Sequence, residues 1–171
     1  MDDEKEVMKV LGVDPGYRNL GLTVVDLKSM TILHSENMTV GHSDNIISFV
    51  KFLYPKLTEL HERYNFTGIG SETPPFIMRQ IKTTAGLWAV SSIIMSWAFE
   101  RDVPFRHASP ISLKRAVVRY NGDVWDKKKI PKKAEVRVVI KKLYGSCCKT
   151  SHEDDAALAA AATFGEIHAP T

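Results

Sequence analysis

Val7 to Leu27 reads VMKVLGVDPGYRNLGLTVVDL, and the break in its middle decides what the rest of the chain can become. Val7 to Asp14 is apolar and rich in β-branched residues, the pattern of a buried strand, and it stops sharply at Asp14-Pro15-Gly16. Proline pre-sets its own φ and glycine accepts a positive one, so the chain turns there. Asn19 to Leu27 then alternates as a second strand, and Met30 to Met38 (MTILHSENM) as a third. Three strands with short connections predict an antiparallel meander. The first of them leaves a carboxylate, Asp14, at its C-terminal end.

Beyond the meander the periodicity changes from two to nearly four. Ile46 to Tyr64 carries Ile46, Phe49, Val50, Leu53, Leu57 and Leu60 on one helical stripe, with Pro55 expected to kink or split it. Asn65 to Glu72 (NFTGIGSE) reads as a fourth strand, ended by Thr73-Pro74-Pro75 and delivering Glu72 to its own end. From Ile77 to Phe99 the chain is apolar nearly all round, so that helix is expected to be buried on several sides, in the core or against a second subunit. Val103 to Ser109 predicts a fifth strand, Pro110 opens a helix through Val118, and Lys133 to Tyr144 forms another, stopped by Gly145. In that last helix Val136, Val139, Ile140 and Leu143 form a core stripe. Lys133, Arg137 and Lys141 form a second stripe, at i, i+4 and i+8, free to meet phosphate. The connection from Arg119 to Lys132 (RYNGDVWDKKKIPK) predicts a surface loop in which Tyr120 and Trp125 are candidates to stack on unpaired bases.

Bulk properties narrow the class. With 171 residues, 44% hydrophobic and 25% charged, the chain is expected to be one soluble domain over 1–171, with residues 1–6 disordered. No apolar run is long enough to span a bilayer, and the acidic start MDDEKEV is unlike a secretory leader. Cys147 and Cys148 are adjacent and lack zinc-ligand spacing, which suits reduced thiols. The net charge of +3 hides a strong asymmetry. Between Arg106 and Lys149 lie 13 of the 23 Lys and Arg residues against three acids, so that half carries about +10 and the remainder is acidic. A basic half beside an acidic cluster predicts a polyanion held next to a metal site.

The acidic cluster is completed by SHEDDAALAAAA, Ser151 to Ala162. Ser151 is the expected N-cap, with Asp154 in capping-box position, and Glu153 and Asp154 complement the helix dipole. His152 and Asp155 are three residues apart and share a face, which Leu158, Ala159 and Ala162 continue toward the core. The alanines let such a helix lie close on a sheet, bringing His152 and Asp155 to the strand ends that carry Asp14 and Glu72. Carboxylates gathered in this way repel one another unless cations replace the repulsion with coordination. Mg²⁺ prefers oxygen ligands, and two such ions about 4 Å apart clamp a phosphodiester for attack by water. The four residues, on three elements beside a basic half, predict a metal-dependent nuclease.

These stretches resemble a known family. VLGVDPGYRNLGLTVVD is similar to the opening strand and hairpin of the RuvC-type Holliday junction resolvases, GSETPP to their second acidic strand end, and HEDDAALAAA to their last helix. SPISLKRAVV and KKAEVRVVIKKLYG resemble the family's basic segment. The resemblance implies an α/β, RNase H-like fold: a five-stranded mixed sheet, three antiparallel then two parallel strands, flanked by helices. It implies Asp14, Glu72, His152 and Asp155 as catalytic and metal residues, His152 as ligand or general acid/base, with Asp154 as an alternate ligand. It implies two Mg²⁺ per site, Mn²⁺ substituting, and contacts to a four-way DNA junction from Phe76, Arg79, Lys114, Arg115, Lys132, Lys133 and Arg137. It further implies a homodimer through the apolar helix near 77–99, cutting two opposed strands symmetrically in recombination and repair. The expected location is the cytoplasm or nucleoid of a bacterium, or otherwise wherever the DNA is, in an organelle or a virus-infected cell.

Three other readings share parts of the pattern. An RNase H-like nuclease acting on other branched DNA or on RNA has the same acids. A DNA-binding module with a degenerate metal site has the same basic half, and the intact Asp14, Glu72 and Asp155 argue against it. The Asp-x-Gly hairpin of actin and sugar kinases resembles DPG, but that fold needs two such domains.

Overall fold

Alternation along the first strand assigns each helix to a face of the sheet. The computed structural model describes residues 8–16, 18–39, 46–76, 78–121, 131–146 and 148–165, with backbone alone at 46, 47 and 78. Five strands, β1 (Lys9–Asp14), β2 (Asn19–Asp26), β3 (Thr31–Thr39), β4 (Gly68–Glu72) and β5 (Phe105–Ala108), form one sheet in the order β3-β2-β1-β4-β5. The β1–β2 and β2–β3 pairs are antiparallel, and β1–β4 and β4–β5 are parallel, so the expected mixed sheet is present.

Leu11 and Val13 of β1, with Leu20, Leu22 and Val24 of β2 and Ile69 of β4, face a core closed by α1 (Ile46–Tyr64) and α2 (Ile81–Glu100), where Phe49, Leu53, Leu57, Leu60, Ile94 and Trp97 are buried. Val10 and Val25 face the opposite core, built by α3 (Pro110–Tyr120), α4 (Lys133–Tyr144) and the alanines of α5 (Ser151–Phe164). That second layer is unusually thin, because the sheet offers glycines to the helix. A Cβ built on Gly12 would lie 1.9 Å from the Ala156 carbonyl oxygen, and one on Gly21 would lie 2.2 Å from that of His152. Neither position tolerates a side chain while α5 stays where it is.

Several expected boundaries move, each for a local reason. Helix α1 remains one element through Pro55 and is not split. Asn65 takes a left-handed φ of 49° and its N–H returns to the His61 carbonyl, so it ends α1 and β4 begins only at Gly68. Met30 also has a positive φ, 51°, which starts β3 at Thr31. The apolar stretch after Pro75 opens with a short 3₁₀ turn, Met78–Gln80, before α2, and α3 runs on to Tyr120.

Helix α2, expected to be buried in the core or against a second subunit, is buried within the chain along one side: Thr84, Val90, Ser91, Ile94, Trp97 and Ala98 are buried, whereas Ile81, Trp88, Met95 and Phe99 are exposed by 74%, 40%, 43% and 85%. Ile81, Trp88 and Met95 recur every seven residues and Phe99 follows four later, so they line one stripe of the outer face. Among the described residues no helix is long and apolar enough to cross a membrane. Residues 1–6, Cys147 and Trp125 lie outside the described residues.

Candidate active site

The pairing of β1 with β4 fixes the first two acids. Val13 is level with Ser71 in parallel register, so the next residues, Asp14 and Glu72, end adjacent strands on the face that α5 covers. On the other side Asp14 is level with Gly21, over which the His152 backbone sits. The third contribution follows: His152 Nδ1 is 2.6 Å from Asp14 Oδ2. Asp155, one helical turn on, shares that face.

The electrostatics report the same convergence. Burial, then the charges of Asp14 and Asp155, push Glu72 up to about 7, while Lys114 and Lys133 pull the other way. Burial and Asp14 push Asp155 up to about 6, opposed by Lys133 and His152. The hydrogen bond to Asp14 raises the proton affinity of His152. Three carboxylates and an imidazole therefore crowd one sheet edge, faced by two lysines from α3 and α4. Among the described residues no trio of His, Cys, Asp or Glu already closes around a common point. Asp14 and His152 are engaged with each other instead. The donors nonetheless fit a hard divalent cation: they are oxygen-rich, half-buried and crowded, so that mutual repulsion disfavours their ionised forms until a cation offsets it.

The lysines divide. Lys133 Nζ lies 3.2 Å from Ser151 Oγ at the mouth of α5, a contact not legible in the sequence, where Ser151 has the spacing of an N-cap. The cap is Thr150: its Oγ1 accepts from the Glu153 N–H, and the Glu153 carboxylate accepts from the Thr150 N–H. Ser and Thr stand side by side, and the longer Glu153 reaches back where Asp154 is too short. Glu153 and Asp154 stand in the first turn of α5, as dipole complements should, and both are buried, only 2% exposed. Glu153 Oε2 accepts from Lys149 N–H and Ser35 Oγ, and its carbonyl from Thr23 Oγ1. Asp154, the expected alternate ligand, has its Oδ1 engaged by the Cys148 N–H at 2.9 Å.

The remaining residues expected at DNA are placed as follows. Phe76, 76% exposed, and Arg79, also exposed, stand on the segment leading from Glu72 into α2. Lys114 and Arg115 are half-buried on α3. Lys132 precedes α4, exposed, its N–H donated to Glu135. Arg137, expected on the outward stripe, turns its guanidinium back to the Cys148 carbonyl at 2.8 Å.

The family model of the crossover junction endodeoxyribonuclease RuvC matches residues 10–164, from β1 to the end of α5. The chain belongs to the RuvC family. A curated RuvC of Thermosipho melanesiensis is 23% identical over 138 residues, 80% of this chain and 86% of the relative. The structure of Thermus thermophilus RuvC in complex with a Holliday junction substrate superposes with a TM-score of 0.74 at 24% identity, covering 90% of both chains. The yeast mitochondrial Holliday junction resolvase Ydc2 superposes with a TM-score of 0.61 at 20% identity, over 90% of this chain and 76% of that one. At such identities the structural likeness establishes the RuvC fold, RNase H-like, and the site rests on this chain's own residues.

Proposed function

We propose that the protein is a divalent-metal-dependent endodeoxyribonuclease that resolves four-way DNA junctions by paired, symmetric hydrolysis of two opposed strands. The observation that carries the metal chemistry is the meeting of Asp14, Glu72, His152 and Asp155 at one sheet edge, faced by Lys114 and Lys133. RuvC family membership carries the junction as substrate. Asp14, Glu72 and Asp155, with His152 as a fourth donor, would hold the ions, two per site, Mg²⁺ or Mn²⁺. Bound there, the ions supply the positive charge that draws a phosphate in and offsets the negative charge of its in-line attack by water.

The chain's own groups supply the rest. Asp14 engages His152 at Nδ1, so Nε2 is the atom at which a proton is held or passed on. Lys114 and Lys133 place ammonium charge toward the acids, where a backbone phosphate must sit. The wider basic segment follows the junction arms, so affinity is expected to fall steeply with salt, read by titrating a labelled junction between ~50 and ~200 mM salt in chelator.

Paired cutting needs two sites, and the outer stripe of α2 supplies the means to join them. Ile81, Trp88, Met95 and Phe99 form an exposed apolar patch of the kind that is covered in a homodimer. Trp88→Glu is expected to convert the dimer to a monomer in analytical ultracentrifugation and to leave single nicks in place of paired ones. A Trp88→Glu protein that sediments as wild type would place the dimer contact elsewhere.

The raised carboxylates set a pH signature of the metal-free protein. Glu72 sits at about 7 in the fold against an ordinary 4.5, and Asp155 at about 6 against 3.8. A folded-state value above the unfolded one binds protons more tightly in the fold. Its stabilising contribution is therefore full below about pH 4 and is lost as pH rises through 6 to 7. In chelator the unfolding free energy is expected to fall between pH 5 and pH 8 by an amount on the order of 3 kcal/mol, read as a lower melting temperature. Glu72→Gln should flatten that slope, and Mg²⁺ should restore stability most at pH 8. A slope unchanged in Glu72→Gln would contradict the crowding.

A further inference from the structure

Four titratable residues in a row, His152 to Asp155, divide by helical geometry into two pairs. At about 100° per residue, His152 and Asp155 fall on one face and Glu153 and Asp154 on another. The first pair meets Asp14 and Glu72. The second is buried against the segment before α5 and bonds its backbone one group after another: Asp154 Oδ1 takes the Cys148 N–H at 2.9 Å, and Glu153 Oε2 takes the Lys149 N–H at 2.8 Å. The Cys148 carbonyl, pointing the other way, receives Arg137 Nη2 at 2.8 Å. The same guanidinium stands 3.9 Å from Asp154 Oδ2, which is buried and has no hydrogen bond of its own. One arginine on α4 thus holds Cys148 by its carbonyl, and one aspartate on α5 holds the same residue by its N–H.

We propose that Arg137 and Asp154 are positioning residues, a clamp on Cys148 that fixes the rotational setting of the first turn of α5 and thereby aims His152 and Asp155 at Asp14 and Glu72. The clamp acts through the helix, and neither residue touches the DNA. This differs from what a basic stripe at i, i+4 and i+8 suggests, because Arg137, although its side chain is 45% exposed, directs its guanidinium to the Cys148 carbonyl. It also accounts for an unbroken run of titratable residues: the inner pair holds the turn that the outer pair uses. A helix whose buried acids bond its own approach cannot rotate without losing several hydrogen bonds at once. Buried acceptors left unpaired in this way are costly.

The inference rests on the proposed nuclease reading, and the test separates the two. Arg137→Met, Arg137→Lys and Asp154→Asn are compared with wild type by three measurements. These are amide hydrogen exchange over residues 148–155 in chelator, the slope of log junction affinity against log salt in chelator, and single-turnover cleavage in Mg²⁺. For Arg137→Met, exchange in the first turn of α5 is expected to accelerate about tenfold. Cleavage is expected to fall about 10- to 100-fold, and the salt slope to stay that of wild type. Arg137→Lys, which can still donate to the Cys148 carbonyl, recovers part of both losses. Asp154→Asn keeps the shape and removes the charge facing the guanidinium, so it reproduces the pattern in milder form and serves if Arg137→Met does not fold. A salt slope smaller by about one, with cleavage falling only as affinity does, would make Arg137 a phosphate contact and overturn the clamp. Unaltered exchange in both Arg137→Met and Asp154→Asn would overturn it as well. If wild type cuts no junction, the nuclease reading fails, while the exchange arm still decides the clamp.

Discussion

Asp14→Asn is expected to abolish junction cleavage, by roughly 10³-fold or more, while leaving the affinity for the junction within about twofold. The size follows from losing one group that organises charge at the reacting phosphate. The substitution keeps the side chain's volume and its place at the end of β1, and exchanges a carboxylate for an amide that holds a divalent cation and the His152 imidazole less well. Affinity is expected to survive because, on the proposed reading, it is carried by the basic residues of α3 and the lysines of α4, away from Asp14. Single-turnover cleavage and a binding titration in chelator, run side by side, separate the two quantities. Loss of both together would make Asp14 a structural residue. Loss of neither would remove it from the chemistry.

Gly12→Ala is expected to be severely damaging for a single added methyl group. The added Cβ falls 1.9 Å from the Ala156 carbonyl oxygen, a backbone atom in the middle of α5 that cannot rotate aside. Either α5 lifts from the sheet or β1 bends, and overpacking of this kind costs about 1–3 kcal/mol. For a domain of this size that lowers the melting temperature by roughly 2–4 °C per kcal/mol. Activity should suffer more than stability. His152 and Asp155 ride on α5, whereas Asp14 and Glu72 stay with the strands, and a displacement of about 1 Å between such groups can cost about 10²-fold. Calorimetry and cleavage on one sample test both parts. A fully active Gly12→Ala protein would show that α5 need not lie so close.

The sheet was legible because its signals are local and strong. Asp14-Pro15-Gly16 stops a β-branched run, and the strand ends that carry Asp14 and Glu72 follow from it. The last helix was legible too, since alanine at so many successive positions has little use except close approach. What escaped the sequence was decided by contacts distant along the chain. Glu153 and Asp154 at a helix start fit the dipole equally well exposed or buried. Only Ser35 and Thr23, more than a hundred residues earlier, and the approach through Cys148 pull them inside. Arg137 falls on a basic stripe by spacing, and its turn toward the Cys148 carbonyl depends on where the next segment passes. For α2, apolar residues all round fit either a core helix or a face held for a second subunit. The exposure of Phe99 and Ile81 shows that the single chain buries only one side.

The central claim is tested most directly by mapping cuts on one synthetic four-way junction, beside a linear duplex, a replication fork and an RNA–DNA hybrid, in Mg²⁺, Mn²⁺ and chelator. The account predicts nicks at symmetric positions on two opposed strands of the junction, present with either cation and absent in chelator, with the other substrates spared. Equal cutting of the linear duplex or the hybrid, or cutting that persists in chelator, would contradict it.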